Sequence, residues 1–173
     1  MHLKNQILKE HSKANCKLIT DYVGNNKNRL ADLVNVYLAG PYRVTQRAAW
    51  PISCCTEKYP ELIVPHLGTL LNFLKQPGTH VAVKRNTVRL LQFIDIPKKL
   101  QGRVADICFN FLQSKKETVG VKAFSLTVLG NLSKIQPELM NELRIIIEDQ
   151  LPYATAAFRV RARKVLKEWS AMA

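Results

Sequence analysis

The sequence predicts an all-α protein, a right-handed α-α superhelix built from paired helices. Three observations carry that expectation. Apolar residues recur at i, i+3, i+4, i+7 in Leu30/Leu33/Val34/Tyr37, Leu67/Leu70/Leu71/Leu74 and Val104/Ile107/Cys108/Phe111, with an incomplete copy at Leu143/Ile146/Ile147. The spacing marks one face of a 3.6-residue helix, and strand alternation is absent from these windows. Proline and glycine punctuate the chain at the same period: Pro60, Pro97 and Pro137 lie 37 and 40 residues apart, and Gly40-Pro41 precedes Pro77-Gly78 by 37. The quartets themselves start 37, 37 and 39 residues apart, so the two signals agree on one repeating unit.

Taken in order, a lone helix over 3–23 closes the first end, carrying Ile19, Tyr22 and Val23 on its later turns. Units follow at approximately 28–58, 61–94, 98–135 and 138–170 in a single domain of 1–173. Within each unit the quartet defines an A helix, and a second apolar series defines a B helix, at 43–58, 79–94, 117–135 and 155–170. Val88/Leu91, Phe124/Val128/Leu132 and Phe158/Ala162/Val165/Trp169 are the core positions of the later B helices. Pro51 stands inside the first B helix, where it removes one hydrogen bond and predicts a kink or interruption that shifts Trp50 out of register.

Composition limits the class of protein. The chain has 173 residues, 47% of them hydrophobic, enough for a sizeable core, and 26 Lys+Arg against 13 Asp+Glu leave a formal net charge of +13. No apolar run approaches the ~18 residues of a membrane span, and residues 1–6 lead into alternating polar and apolar positions, not the apolar stretch of a secretory signal. The expected location is intracellular and reducing, that is, cytoplasmic, with no membrane association. Cys16, Cys54, Cys55 and Cys108 lack the spacing of a disulfide framework, a CxxC pair or a zinc half-site and read as small buried hydrophobes. His2, His11, His66 and His80 are scattered, so neither a metal nor a cofactor is expected.

A hydrophobic-basic dipeptide recurs near the start of the B helices: Val83-Lys84, Val121-Lys122 and Val160-Arg161, with Gln46-Arg47 in the first full unit. The basic residues are 37, 38 and 39 apart. Over nearly the whole chain this pattern resembles HEAT repeats, and the period also falls in the armadillo range. The resemblance implies a short solenoid of about four helix pairs with the B helices lining its concave face. In the family an Asp about six residues earlier usually pairs with the basic residue. Here those positions are Pro41, Gly78, Lys116 and Thr155, so the cations are expected to lack that internal partner.

The same residues belong to a wider basic pattern. Arg43 and Arg47, Arg85 and Arg89, and Arg159, Arg163 and Lys167 each step by four along one helix face. Like charges at that spacing cost a few tenths of a kcal/mol per pair, a cost an anionic ligand removes. Two readings stand: cations solvating a surface with their stems laid over apolar neighbours, or a basic inner stripe for a polyanion. On the second, Arg43, Arg47, Lys84, Arg85, Arg89, Lys122, Arg159, Arg161 and Arg163 contact phosphates. Trp50 is then either a stacking platform for a base or part of the packing between repeats. The third B helix thins the stripe, since Lys122 is its one early cation.

The expected function is a non-catalytic binding scaffold for nucleic-acid backbone, favoured by charge and counterion release. The alternative is an adaptor that takes an acidic or amphipathic peptide in its groove. No GxSxG, HExxH, paired-carboxylate or phosphate-loop motif is present, so no catalytic residue is assigned. A distant similarity to small basic HEAT-like DNA alkylation-repair glycosylases keeps one enzyme class open, with Glu168 beside Trp169 as its sole candidate pairing.

Overall fold

The computed structural model describes residues 1–172 as ten α-helices and two 3-10 turns, with no strand among the described residues. Its contacts gather into two compact units, Met1–Ile96 and Pro97–Ala173. The first holds α1 (Leu3–Lys9), α2 (Lys13–Val23), α3 (Lys27–Ala39), α4 (Tyr42–Lys58), a 3-10 segment (Pro60–His66) leading into α5 (Leu67–Leu74), and α6 (Val81–Leu91). The second holds α7 (Lys98–Gln113), α8 (Val119–Ser133), α9 (Leu139–Gln150), a 3-10 turn (Leu151–Tyr153) and α10 (Ala156–Ser170).

The apolar quartets are core in both units. Leu30, Leu33, Val34 and Tyr37 on α3, and Leu67, Leu70, Leu71 and Leu74 on the second A helix, are all buried. So are Val104, Ile107 and Cys108 on α7 and Leu143, Ile146 and Ile147 on α9. In the last B helix, Phe158, Ala162, Val165 and Trp169 are buried as their spacing requires.

Three elements differ from the sequence expectation. The lone helix over 3–23 is two helices, because Ser12 caps α2 by accepting from the Asn15 N–H at 3.0 Å. The buried Asn15 amide then donates to the Gln6 and Glu10 carbonyls at 2.9 and 2.8 Å, satisfying the open C-terminal end of α1. Second, Pro51 does not interrupt its helix. α4 runs from Tyr42 to Lys58 with Pro51 buried inside it, and its contacts with α1, α2, α3 and α6 outweigh the roughly 3 kcal/mol cost of a mid-helix proline. Third, the A helix expected from 61 opens as a 3-10 segment containing Pro60 and Pro65 and becomes α-helical only at Leu67. Pro65 has no N–H to donate and its ring crowds the carbonyl four residues back, which disfavours a regular α-helix over this stretch.

Helix α8 touches α7, α9 and α10, and its buried residues lie all around its axis, including Val121, Ala123, Leu126, Val128 and Leu132. A helix covered on several sides has little room for charge. This accounts for the scarcity of cations along it. Its approach to α10 is close: a Cβ built on Gly130 meets Val165 Cγ2 at 2.5 Å. We expect Gly130→Ala to force Val165 aside and lower stability by roughly 1–3 kcal/mol, read from denaturant unfolding at unchanged m-value.

Burial also fixes the protonation of three weak acids. Desolvation raises Tyr37 from 10.0 to about 12, its hydroxyl 3.5 Å from Thr87 Oγ1, and raises Cys55 and Cys108 from 9.0 to about 12. Their folded pKa values lie above the unfolded ones, so the unfolded chain ionises first as pH rises. Their stabilising contribution is complete below pH 9 and declines toward pH 12, by about 1.4 kcal/mol per pH unit for each group titrating. Urea unfolding between pH 8 and 11 should show this fall, and Tyr37→Phe should remove one group's share of the slope above pH 10.

Candidate polyanion-binding surface

The cations singled out by sequence divide into two populations. In the first unit Arg43 sits exposed on the opening turn of α4. Arg47, one turn on, is half-buried, and its Nη1 donates to the Leu8 carbonyl at 2.9 Å and approaches the Ile7 carbonyl at 3.5 Å. It therefore holds the C-terminal end of α1, where helix carbonyls lack intrahelical partners. Arg89 on α6 donates to Ser53 Oγ at 2.7 Å, pairs with Glu57, and lies 5.1 Å from the Phe93 ring centre. Lys84 is half-buried and Arg85 exposed, and both have interaction partners.

In the second unit Arg161 is half-buried, donates to Thr127 Oγ1 on α8 and lies 4.7 Å over the Phe124 ring. Arg159, Arg163 and Lys167 are exposed along one face of α10. Arg159 reaches the Pro152 carbonyl at only 3.4 Å, a weak tie that leaves it facing solvent. Lys122 is half-buried and lines an open cavity of about 380 Å³ with Lys115, Val119, Gln150 and Tyr153.

The expectation that the dipeptide cations lack internal partners is thus corrected for Arg47, Lys84 and Arg161, and Arg89 of the wider basic pattern is engaged as well. The partner does not come from six residues earlier in the same unit. It comes from about one repeat back: Ser53 is 36 residues before Arg89, and Thr127 is 34 before Arg161. The same interval joins Trp169, whose indole N–H donates to Ser133 Oγ at 2.9 Å across 36 residues. Sequence reasoning missed Ser53, Thr127 and Ser133. A hydroxyl 34 to 36 residues before Arg89, Arg161 and Trp169 was the available signal.

The aromatic candidates are resolved in the same way. Trp50 is half-buried with its ring edge-on to His11, centroids 5.6 Å apart, so it packs where α1 gives way to α2. Trp169 is core, and Glu168 beside it is engaged by Lys134 at 2.7 Å and Lys164 at 3.9 Å. The dipeptide of the last unit also departs from its predecessors, for Val83 and Val121 are buried while Val160 is 66% exposed. Two residues from buried Phe158, Val160 points roughly 200° around the helix from the core face.

Helix pairs with a cationic surface and polar ties between successive B helices define a helical-repeat binding scaffold. A family model described as HEAT repeat domain matches residues 3–169, and the chain belongs to that family. What this match shows is the repeat; it does not show similarity to the alkylation-repair proteins. Comparison with curated proteins and with solved structures finds no match. Among the described residues, no helix is long and apolar enough to cross a membrane, and no cluster of three or more His, Cys, Asp or Glu is placed to hold a metal ion.

The two populations of cations should separate on substitution. Arg47→Ala opens the end of α1 and should cost about 1–2 kcal/mol, lowering Tm by several degrees, whereas exposed Arg43→Ala should stay within about 0.5 kcal/mol of the parent. Thermal unfolding followed by circular dichroism checks both.

Proposed function

We propose that this HEAT-repeat scaffold binds the backbone of a nucleic acid through its solvent-facing cations. The observation that carries this reading is the face of α10, where Arg159, Arg163 and Lys167 stand exposed at four-residue steps. Three like charges so aligned are unfavourable for the isolated helix and favourable against a row of phosphates. Arg43 on α4 and Arg85 on α6 add exposed charge in the first unit, with Lys84 and Lys122 half-exposed beside their helix starts. The formal charge of +13 supplies long-range attraction for any of these surfaces. Arg47, Arg89 and Arg161, drawn into contacts between helices, are supporting residues in this reading and position the exposed ones.

A second reading rests on the cavity at the start of α8 and α10. It is rimmed by Tyr153, which is 91% exposed, and by Lys115 and Lys122, with Val119 and Phe158 in its wall. An aromatic rim with apolar lining and two cations suits an acidic peptide.

Fluorescence anisotropy with labelled duplex DNA, single-stranded DNA, RNA and polyglutamate, each across a salt series, distinguishes the readings. One nucleic acid should bind well ahead of polyglutamate. Arg159→Ala/Arg163→Ala/Lys167→Ala should weaken it at least tenfold and flatten the log K against log salt slope by roughly two to three units, with helicity unchanged. Equal binding of all four polymers, or a triple variant that binds as the parent does, overturns the proposal. Loss of polyglutamate binding on Tyr153→Ala would favour the cavity instead.

A further inference from the structure

Cys16 on α2 and Cys54 on α4 face each other with their sulfurs 3.7 Å apart, 38 residues apart in sequence, the Cys16 S–H donating toward the Cys54 sulfur. Both are reduced. Their surroundings differ. Cys16 is buried, whereas Cys54 is partly open to solvent at the α4–α6 boundary, beside the Arg89 side chain that Ser53 and Glu57 hold in place. We propose that Cys16 and Cys54 form a redox-active thiol pair, with Cys54 the residue that a peroxide oxidises first and Cys16 the residue that closes an intramolecular disulfide.

A disulfide requires the sulfurs to close from 3.7 Å to about 2.05 Å, and both residues sit on helices of one compact unit that pack against each other. The charges around Cys54 point the same way. The hydrogen bond from Cys16 holds the Cys54 thiol below its ordinary range, burial opposes it, the Arg89 guanidinium lowers it further and the Glu57 carboxylate raises it. Cys16 is held above the ordinary range, chiefly by that same bond to Cys54, with burial adding to it. One sulfur is therefore the nucleophile and the other the proton donor. Cys55, buried next in sequence and facing Thr20, Asp21 and Lys58, is pushed up to about 12 and stays a thiol.

The step balances with a peroxide as oxidant. The Cys54 thiolate attacks one peroxide oxygen, the O–O bond breaks, and the departing hydroxide takes a proton to leave as water. The sulfenic acid on Cys54 is attacked by the Cys16 sulfur as its proton passes to the leaving hydroxyl. The S–O bond breaks, the S–S bond forms and a second water departs. Two thiols lose two electrons and one peroxide gains them.

The test uses the full, reduced chain with a few equivalents of hydrogen peroxide, followed by alkylation under denaturing conditions and peptide mapping. The expected result is loss of two of the four alkylatable thiols, a single linked peptide pair containing Cys16 and Cys54, and recovery of both thiols with dithiothreitol. Cys16→Ser should leave a sulfenic acid on Cys54 that dimedone traps, and Cys54→Ser should keep its remaining thiols at peroxide levels that oxidise the parent. Retention of all four thiols in the parent, a link through Cys55 or Cys108, or a disulfide between two chains overturns the proposal. Because the mapping is done on the parent protein, the outcome stands even where a variant folds poorly.

Discussion

The structure depends on the burial of one B helix against the next. An isolated helix pair has too little apolar surface to offset the conformational entropy of ordering about 37 residues, so each repeat is completed by its neighbour. Within the units this is visible at α4 against α6 and at α8 against α10, where Gly130 lets Val165 approach to a distance that excludes even a methyl group. Close approach leaves polar atoms at the seam that must be satisfied. Arg89 on Ser53, Arg161 on Thr127 and the Trp169 indole on Ser133 are the solutions adopted.

That constraint decides what the cations do. A guanidinium at the seam serves as a long, forked hydrogen-bond donor, and its planar head lies over an aromatic ring, Phe93 for Arg89 and Phe124 for Arg161. Arg89 and Arg161 are therefore consumed by packing, and Arg47 by the open end of α1. Only positions turned away from the seam, such as Arg43, Arg159, Arg163 and Lys167, keep their charge available to a partner. Part of the formal charge of +13 is engaged in holding helices together, so the charge left facing solvent is smaller than the formal count.

The repeat was legible because burial obeys a period. Leu30, Leu67, Val104 and Leu143 each open a buried face, and the period alone located them. The local breaks were harder to read, since they turn on side chains whose role depends on a distant partner. Asn15 looks like any polar helix residue until its amide is seen closing the end of α1, and Pro51 looks like a breaker until the helix that carries it is found packed against four others. The partners of the arginines were missed for a related reason. An intra-unit acid was sought six residues away, whereas the contact recurs at the interval of the stacking itself, 34 to 36 residues, where Ser53, Thr127 and Ser133 sit.

Helix α8 carries this constraint furthest. Covered by α7, α9 and α10, it has no broad solvent face, and of its own residues only Lys122, near its first turn, offers a cation toward the surface. Helix α10 is covered chiefly by α8 and turns the opposite side outward, so Arg159, Arg163, Lys164 and Lys167 stand exposed over a little more than two turns. The basic surface is thus strongest where a helix has fewest neighbours and weakest where stacking is most complete. Charge capable of meeting a polyanion follows from the number of packed faces a helix retains, so the stacking that stabilises the repeats also sets where a ligand can be held.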